Sequence, residues 1–435
     1  MLESHWLELV VLAVVTVWAA LLVPALVRSA STKGHGLALT ALYLTAGTAP
    51  AMRLVDPTGA SPLVAKVSEL GTVIAFSLIV VTILTSVRVR QPLPGSALVL
   101  IVYGLVLVAA GIYAGGFNLR WLLLPGLALV VGRGAGMSPQ RLVQHLRYAV
   151  RITTFGSLVL AVTDYSAVEF ADNGRVLFGL PQLAGATDHP NVLGPLAAMA
   201  LAFEVAPGTR RRSILGITAA VACSVLAQSR AGWLCVAVVL LVWFAARPGR
   251  ARVLMIGGYL AAVAATAAAT WLSVFGRPDF RLTPDVSVLN GRNEVWSLAW
   301  GVFRAHPWFG AGPDAFDVQF RATHGQFGAV TGQAHDQVLQ TMATVGLVGL
   351  VVFIALAWVW GRAAIWCARE GTGVAAATLL ALAAHAAVES PLRGYLPPGT
   401  FMALAVVALV TTARDESLGD GSSSSSTRLI ANYSQ

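Results

Sequence analysis

Charge is scarce in this 435-residue sequence: Asp, Glu, Lys and Arg make up 11%, against 57% hydrophobic residues. That balance excludes a soluble globular domain and a disordered chain, and leaves the polytopic membrane class. Cysteine is scarce too. Cys223, Cys235 and Cys367 sit in apolar segments or at a segment end, without metal-ligand spacing, so neither a disulfide framework nor a zinc site is expected. There is no P-loop, no dinucleotide fingerprint, no nucleophile elbow with a plausible triad, and no DxD-like pair to hold a metal-bound nucleotide sugar, since Asp279, Asp285, Asp314 and Asp317 are scattered. Met1 to Glu8 holds two Glu and no Lys or Arg, so it lacks the basic start of a cleavable signal; the first apolar segment is expected to stay, with its N-terminus outside.

What is present is a string of apolar segments. Windows of about 20 apolar residues predict an all-α polytopic integral membrane protein of about 12–13 transmembrane helices, a single membrane domain over 1–413. The spans fall near 7–27, 36–52, 68–87, 95–114, 119–132, 148–165, 191–206, 213–228, 232–246, 253–275, 342–361, 373–388 and 398–413. The net charge of +9 comes almost wholly from arginine, and in such a chain it sets topology rather than attracting nucleic acid. Eighteen of the 29 basic residues, the Arg210–Arg212 triplet among them, fall on loops that alternate to one side, the expected cytoplasm. The serine-rich end, 414–435, reads as a disordered cytoplasmic tail.

Residues 276–342 form by far the longest polar interruption, expected on the extracytoplasmic side and yet holding Arg277, Arg281, Arg292, Arg304 and Arg321 against the positive-inside preference. Within it Asn290 reads as an N-cap, and Val295, Leu298, Ala299, Val302 and Phe303 follow at helical spacing until Pro307. Together with Trp296, Trp300 and Trp308 they predict an amphipathic helix at the membrane boundary.

Chemistry-bearing residues collect on the same expected side. Arg292, in the first turn of that helix, and Arg230, opening the ninth span, are placed to hold an anion, and two converging guanidinium groups suit a diphosphate. The bland alternative is that each snorkels or pairs with a loop carboxylate. His335, at the mouth of the eleventh span, is a candidate general base, or a helix-end histidine bonding backbone. His189 and Asn191, beside Asp188, read as substrate-binding residues or as a proline-fixed helix start. Glu389, with Arg393 just beyond it and His385 one turn before it, forms a second-rank acid/base or positioning group; Arg304 and Asp336 complete the candidate substrate-binding set. The span centres are nearly free of charge, which disfavours a transporter with a midplane site.

Taken in order, Gly185–Gly194, Gln228–Gly232, Asn290-Gly291-Arg292 with Trp296, His306–Gly312 with Phe316, and Ala334–Gln340 with Gly346 resemble the O-antigen ligase and polymerase superfamily. The resemblance covers roughly 180–360. It implies a metal-independent, inverting membrane glycosyltransferase with a large extracytoplasmic loop before the last three helices and no cofactor. Its partners are a polyprenyl-diphosphate-linked glycan donor, a glycan or lipid acceptor and the bilayer, and it would act on the outer face of the cytoplasmic membrane. By that resemblance Arg292 and Arg230 bind and neutralise the departing diphosphate, and His335 activates the acceptor hydroxyl. Where that family carries Asn after the loop histidine, this chain has Asp336, read as a partner that raises the basicity of His335 or as a helix-start residue. A surface-polysaccharide polymerase is the near alternative. A flippase or transporter of lipid-linked glycan would tolerate loss of His335, and a scaffold would tolerate loss of both arginines.

Overall fold

A computed structural model describes residues 35–55, 62–86, 93–134, 137–165, 168–170, 176–177, 180–187, 189–206, 214–245, 281–283, 286–287, 292–316, 332–369, 373–393 and 397–420. The expected spans at 7–27 and 253–275, Asp188, and the expected cap at Asn290 lie outside these residues. The other eleven expected spans fall on helices: α1 His35–Val55, α2 Pro62–Ser86, α3 Gly95–Tyr113, α4 Leu123–Arg133, α5 Pro139–Thr163, α6 Pro190–Glu204, α7 Ile214–Ala227, α8 Arg230–Ala245, then, beyond the loop helix α9 Arg292–Ala305, α10 Gln337–Arg369, α11 Gly373–Val388 and α12 Pro397–Asp420. The all-α polytopic architecture follows. Helix α12 runs past the expected end of its span at 413 to Asp420. Short strands β1 Glu169–Phe170, β2 Val176–Leu177 and β3 Leu180–Leu183 make a small antiparallel sheet in the order β1-β3-β2, and Arg281–Thr283 pairs with Val286–Ser287.

Among the described residues, three helices are long and apolar enough to cross a membrane by length and composition: Lys66–Leu84, Gly95–Tyr113 and Gln337–Ala368. Large apolar side chains such as Val73, Leu84, Leu105, Val351, Ile354 and Trp358 point outward, which a lipid environment accommodates and water does not. Helix α6 occupies the centre. From Leu193 to Glu204 every residue is buried, so its sequence reads apolar all round rather than on one stripe.

In apolar surroundings each backbone group freed by a proline must find another partner, and two interior prolines show how this is met. Pro50 leaves the Ala46 carbonyl without its helical donor, and the Thr153 hydroxyl of α5 donates to it at 3.1 Å. Pro195 likewise frees the Asn191 carbonyl, and His385 of α11 bonds the Asn191 backbone. Gly194 and Gly232 let α6 and α8 meet backbone to backbone: a Cβ on Gly232 would lie 2.6 Å from the Gly194 Cα. Small residues at a crossing permit this approach, and it carries the start of α8 onto the start of α6. At the other end of α6, the buried Glu204 carboxylate takes the Arg151 guanidinium through two hydrogen bonds of 2.6 and 2.9 Å, while Arg147 donates to the Phe203 carbonyl at 2.8 Å. Two of the arginines that mark the expected cytoplasmic side are therefore also structural.

Candidate functional site

The start of α6, the start of α9 and the segment before α10 converge on one carboxylate at the end of α11, with the start of α8 behind them. Glu389 is 2% exposed, and four donors surround it. Arg292 Nη2 at 2.9 Å and Asn191 Nδ2 at 2.6 Å donate to Oε1; His335 Nδ1 at 2.7 Å and Gln333 Nε2 at 2.7 Å reach Oε2. A buried charge is tolerated only when paired and hydrogen-bonded in this way. Burial by itself pushes the carboxyl upward; the charge and hydrogen bond of His335, then Arg292 and His385, outweigh it and hold it at about 2. Glu389 is thus ionised throughout the neutral range. An ionised carboxylate accepts only, so the His335 nitrogen facing it, Nδ1, carries hydrogen and Nε2 is the ring position left for chemistry.

Each position has a local cause. Asn191 is oriented on its other side by Ser229, whose hydroxyl donates to Asn191 Oδ1 at 2.9 Å and accepts from the Gly232 amide at 3.1 Å, capping α8. His335 adopts a left-handed φ of 53°, a strained conformation for a residue with a Cβ and one that concentrates at functional sites. Its neighbours hold it there: the Ala334 amide donates to Gln340 Oε1 at 2.7 Å, and Ser390 donates to the Asp336 carbonyl at 3.3 Å. Gln228, at the turn between α7 and α8, is the other non-glycine residue at positive φ among those described, and is pinned to the small sheet through the Leu180 carbonyl. Arg292 sits at the first turn of α9, and Trp296 one turn on is buried against Ala334, Leu339 and Met342. The Trp296 indole N–H has no acceptor in the structure.

The remaining candidates divide. His189 caps α6 by accepting the Asn191 amide on Nδ1 at 3.0 Å; burial lowers its affinity for a proton, Glu389 pulls it back up, and His335, Arg393 and Arg292 push it further down. Asp336 caps α10, accepting the Leu339 amide at 2.9 Å; the carboxylate on His335 is Glu389. Arg393 donates to the Gly332 carbonyl at 2.7 Å and so tethers the segment that carries Gln333 and His335. Arg230 is exposed and follows Ser229 directly, at the edge of the cluster. Arg304 lies at the far end of α9, roughly 18 Å along the axis from Arg292, and is not drawn into the carboxylate centre. Gln333 and Ser229 were not among the candidates. Serine 229 stood inside a quoted motif, but nothing in sequence marks Gln333 beyond its place two residues before His335.

This geometry offers a fixed guanidinium and an imidazole whose inner nitrogen is held by the same carboxylate, leaving its outer nitrogen unclaimed by that bond. Residues 215–354 match the family model described as O-antigen ligase. The matched stretch holds Arg230, Arg292 and His335 and ends before Glu389. It supports the O-antigen ligase and polymerase superfamily for this chain, the one its motifs resemble. No curated protein matches it.

Proposed function

From that partial match and the site geometry, we propose that the chain is a membrane glycosyltransferase that passes a glycan from a polyprenyl-diphosphate-linked donor to an acceptor hydroxyl on the outer face of the cytoplasmic membrane. The observation that carries this reading is the Glu389 carboxylate clamped between Arg292 and His335. The pair His335–Glu389 has the arrangement of a general base and its orienter: the acceptor O–H proton goes to His335 Nε2 as its oxygen attacks the anomeric carbon. The bond from that carbon to the diphosphate oxygen breaks on the opposite face, so configuration inverts. Negative charge grows on the departing diphosphate, and a guanidinium with five donors, one of them engaged by Glu389, is suited to receive it. Arg230 supplies a second contact from the start of α8. Such fixed cations stabilise the leaving group without calling on a metal ion. His189 and Asn191 shape the floor, and Arg393 holds the loop that presents His335.

Purified protein incubated with a lipid-linked oligosaccharide and candidate acceptors should give transferred product. His335→Ala and Arg292→Lys should each reduce it by about 10²-fold or more. Movement of donor across a bilayer without transferred product, unchanged in His335→Ala, would favour a transporter. Products that grow by repeat units mark a polymerase, and a single transfer per acceptor marks a ligase.

A further inference from the structure

The segment His306–Gly312 takes no part in the carboxylate centre, and it meets α10 where that helix is broken. Gly346 has φ 64° and ψ −157°, a conformation open to glycine almost alone. In an unbroken helix the amides of Leu347 and Val348 would bond the carbonyls of Ala343 and Thr344. Here those two rungs are opened and the loop is inserted between them. Leu347 N–H donates to the Pro307 carbonyl at 2.8 Å and Val348 N–H to the Trp308 carbonyl at 3.2 Å; Ala311 N–H donates to the Ala343 carbonyl at 2.9 Å and Gly312 N–H to the Thr344 carbonyl at 3.0 Å. Four main-chain bonds between segments replace two within the helix. The join has no room for side chains: a Cβ on Gly346 would lie 2.5 Å from the Trp308 carbonyl, and one on Gly310, itself at φ 67°, would strike the Thr344 backbone.

The join sits between the two groups that the proposed reaction needs. Helix α9 begins at Arg292 and leads straight into the inserted turn. The first part of α10, Gln337–Val345, follows His335 and is buried almost all round, whereas Val351, Ile354 and Trp358 beyond the break face outward. That inner half is further tied by Gln337, which donates to Tyr103 Oη at 3.2 Å and accepts the Leu392 amide at 2.8 Å. We infer that the Pro307–Gly312 turn is a backbone splice that sets the spacing of Arg292 and His335, which makes Gly346 and Gly310 positioning residues for transfer. This rests on the reading that Arg292 and His335 act on one substrate. An alanine at 346 favours closing the helix ladder, which expels the turn and releases α9.

Spin labels on Gly301→Cys, whose position has open space around it, and on Val351→Cys, which is exposed, report the α9–α10 distance; Cys223, Cys235 and Cys367 are buried. The distance distribution should be narrow in the parent and broad or shifted on adding Gly346→Ala, with kcat for transfer lowered about 10²-fold, the cost of misplacing a reacting group by roughly 1 Å. Gly301→Ala should leave transfer unchanged. A lowered kcat with an unmoved distance, or a moved distance with transfer within threefold of the parent, overturns the splice. If Gly346→Ala does not fold, Gly312→Ala, at φ 89° with its Cβ 3.0 Å from that of Ala114, gives the same readout in milder form. A parent that transfers nothing counts against the function proposed above and not against the splice, because the distances are measured without substrate.

Discussion

Replacing Glu389 by glutamine separates a charge from a shape. The native carboxylate presents two acceptor oxygens to four donors, Arg292 and Asn191 on one, His335 and Gln333 on the other. A glutamine amide keeps one oxygen and turns its NH2 toward one of those pairs. If the oxygen stays with Arg292, the NH2 faces His335, which can respond only by giving up the proton on Nδ1 and carrying it on Nε2, the nitrogen proposed as base. If the amide is turned the other way, the half-buried Arg292 guanidinium is left facing a donor. Breaking a buried pair costs about 3–5 kcal/mol when one partner is removed outright, and an isostere should sit at or below the low end. Loss of the base should lower transfer by about 10²–10⁴-fold. The assay is transfer from a lipid-linked glycan in detergent or nanodiscs, alongside thermal unfolding. The pH dependence carries a sign. The folded carboxyl is held at about 2 against an ordinary 4.5, so its ionised form stabilises the fold fully above pH 4.5 and that contribution is lost as pH falls toward 2. Glu389→Gln should therefore flatten the acid limb of the stability curve while leaving the neutral plateau lower. A folded Glu389→Gln protein that transfers within threefold of the parent would refute the assignment of His335 and Glu389 as base and orienter.

Three further outcomes follow from local geometry. Thr153→Val should lower the unfolding free energy by about 1–2 kcal/mol, because the Ala46 carbonyl left open by Pro50 loses its donor; in a Pro50→Ala background, where the helix supplies that donor, the cost should shrink, a double-mutant cycle read by thermal or denaturant unfolding. Gly216→Ala should destabilise by about 1–3 kcal/mol, since its Cβ would collide with the Glu204 carboxylate held by Arg151, and the loss should appear as reduced yield and a lower Tm in detergent. His189→Ala should cost about 1 kcal/mol of stability through loss of the α6 cap, and His189→Asn should recover most of it because asparagine caps equally well.

The fold class and most of the helix positions were legible in the sequence because apolar runs of membrane length have few alternatives. In lipid a backbone amide finds its acceptor within its own helix unless packed protein supplies another, so hydropathy alone places most helices. Arg292, His335 and Glu389 were legible as candidates for the related reason that polar residues at the ends of such runs are rare and conspicuous. Their mutual arrangement was not. Glu389 stood in the sequence as a substrate-binding residue or as one of a pair with His385, and Asp336, adjacent in sequence, stood either as the partner of His335 or as a helix-start residue; the structure gives the imidazole to Glu389 and makes Asp336 the helix-start residue. Arg304, grouped with the site by its loop, lies at the opposite end of α9.

What the sequence determined by itself was which segments are helices and which residues are too polar to lie among lipid. Only tertiary structure decided that the starts of α6 and α9 and the strained turn before α10 meet on one carboxylate at the end of α11, with the start of α8 behind Asn191, and that a turn of backbone fills the gap in α10. The physical reason is range. Hydropathy and periodicity act over a few turns of chain, whereas a buried charge is satisfied by whatever donors packing brings within 3 Å, here from positions 191 to 335. An opened pair of helix rungs is closed in the same way, by main-chain groups that carry no side-chain signature.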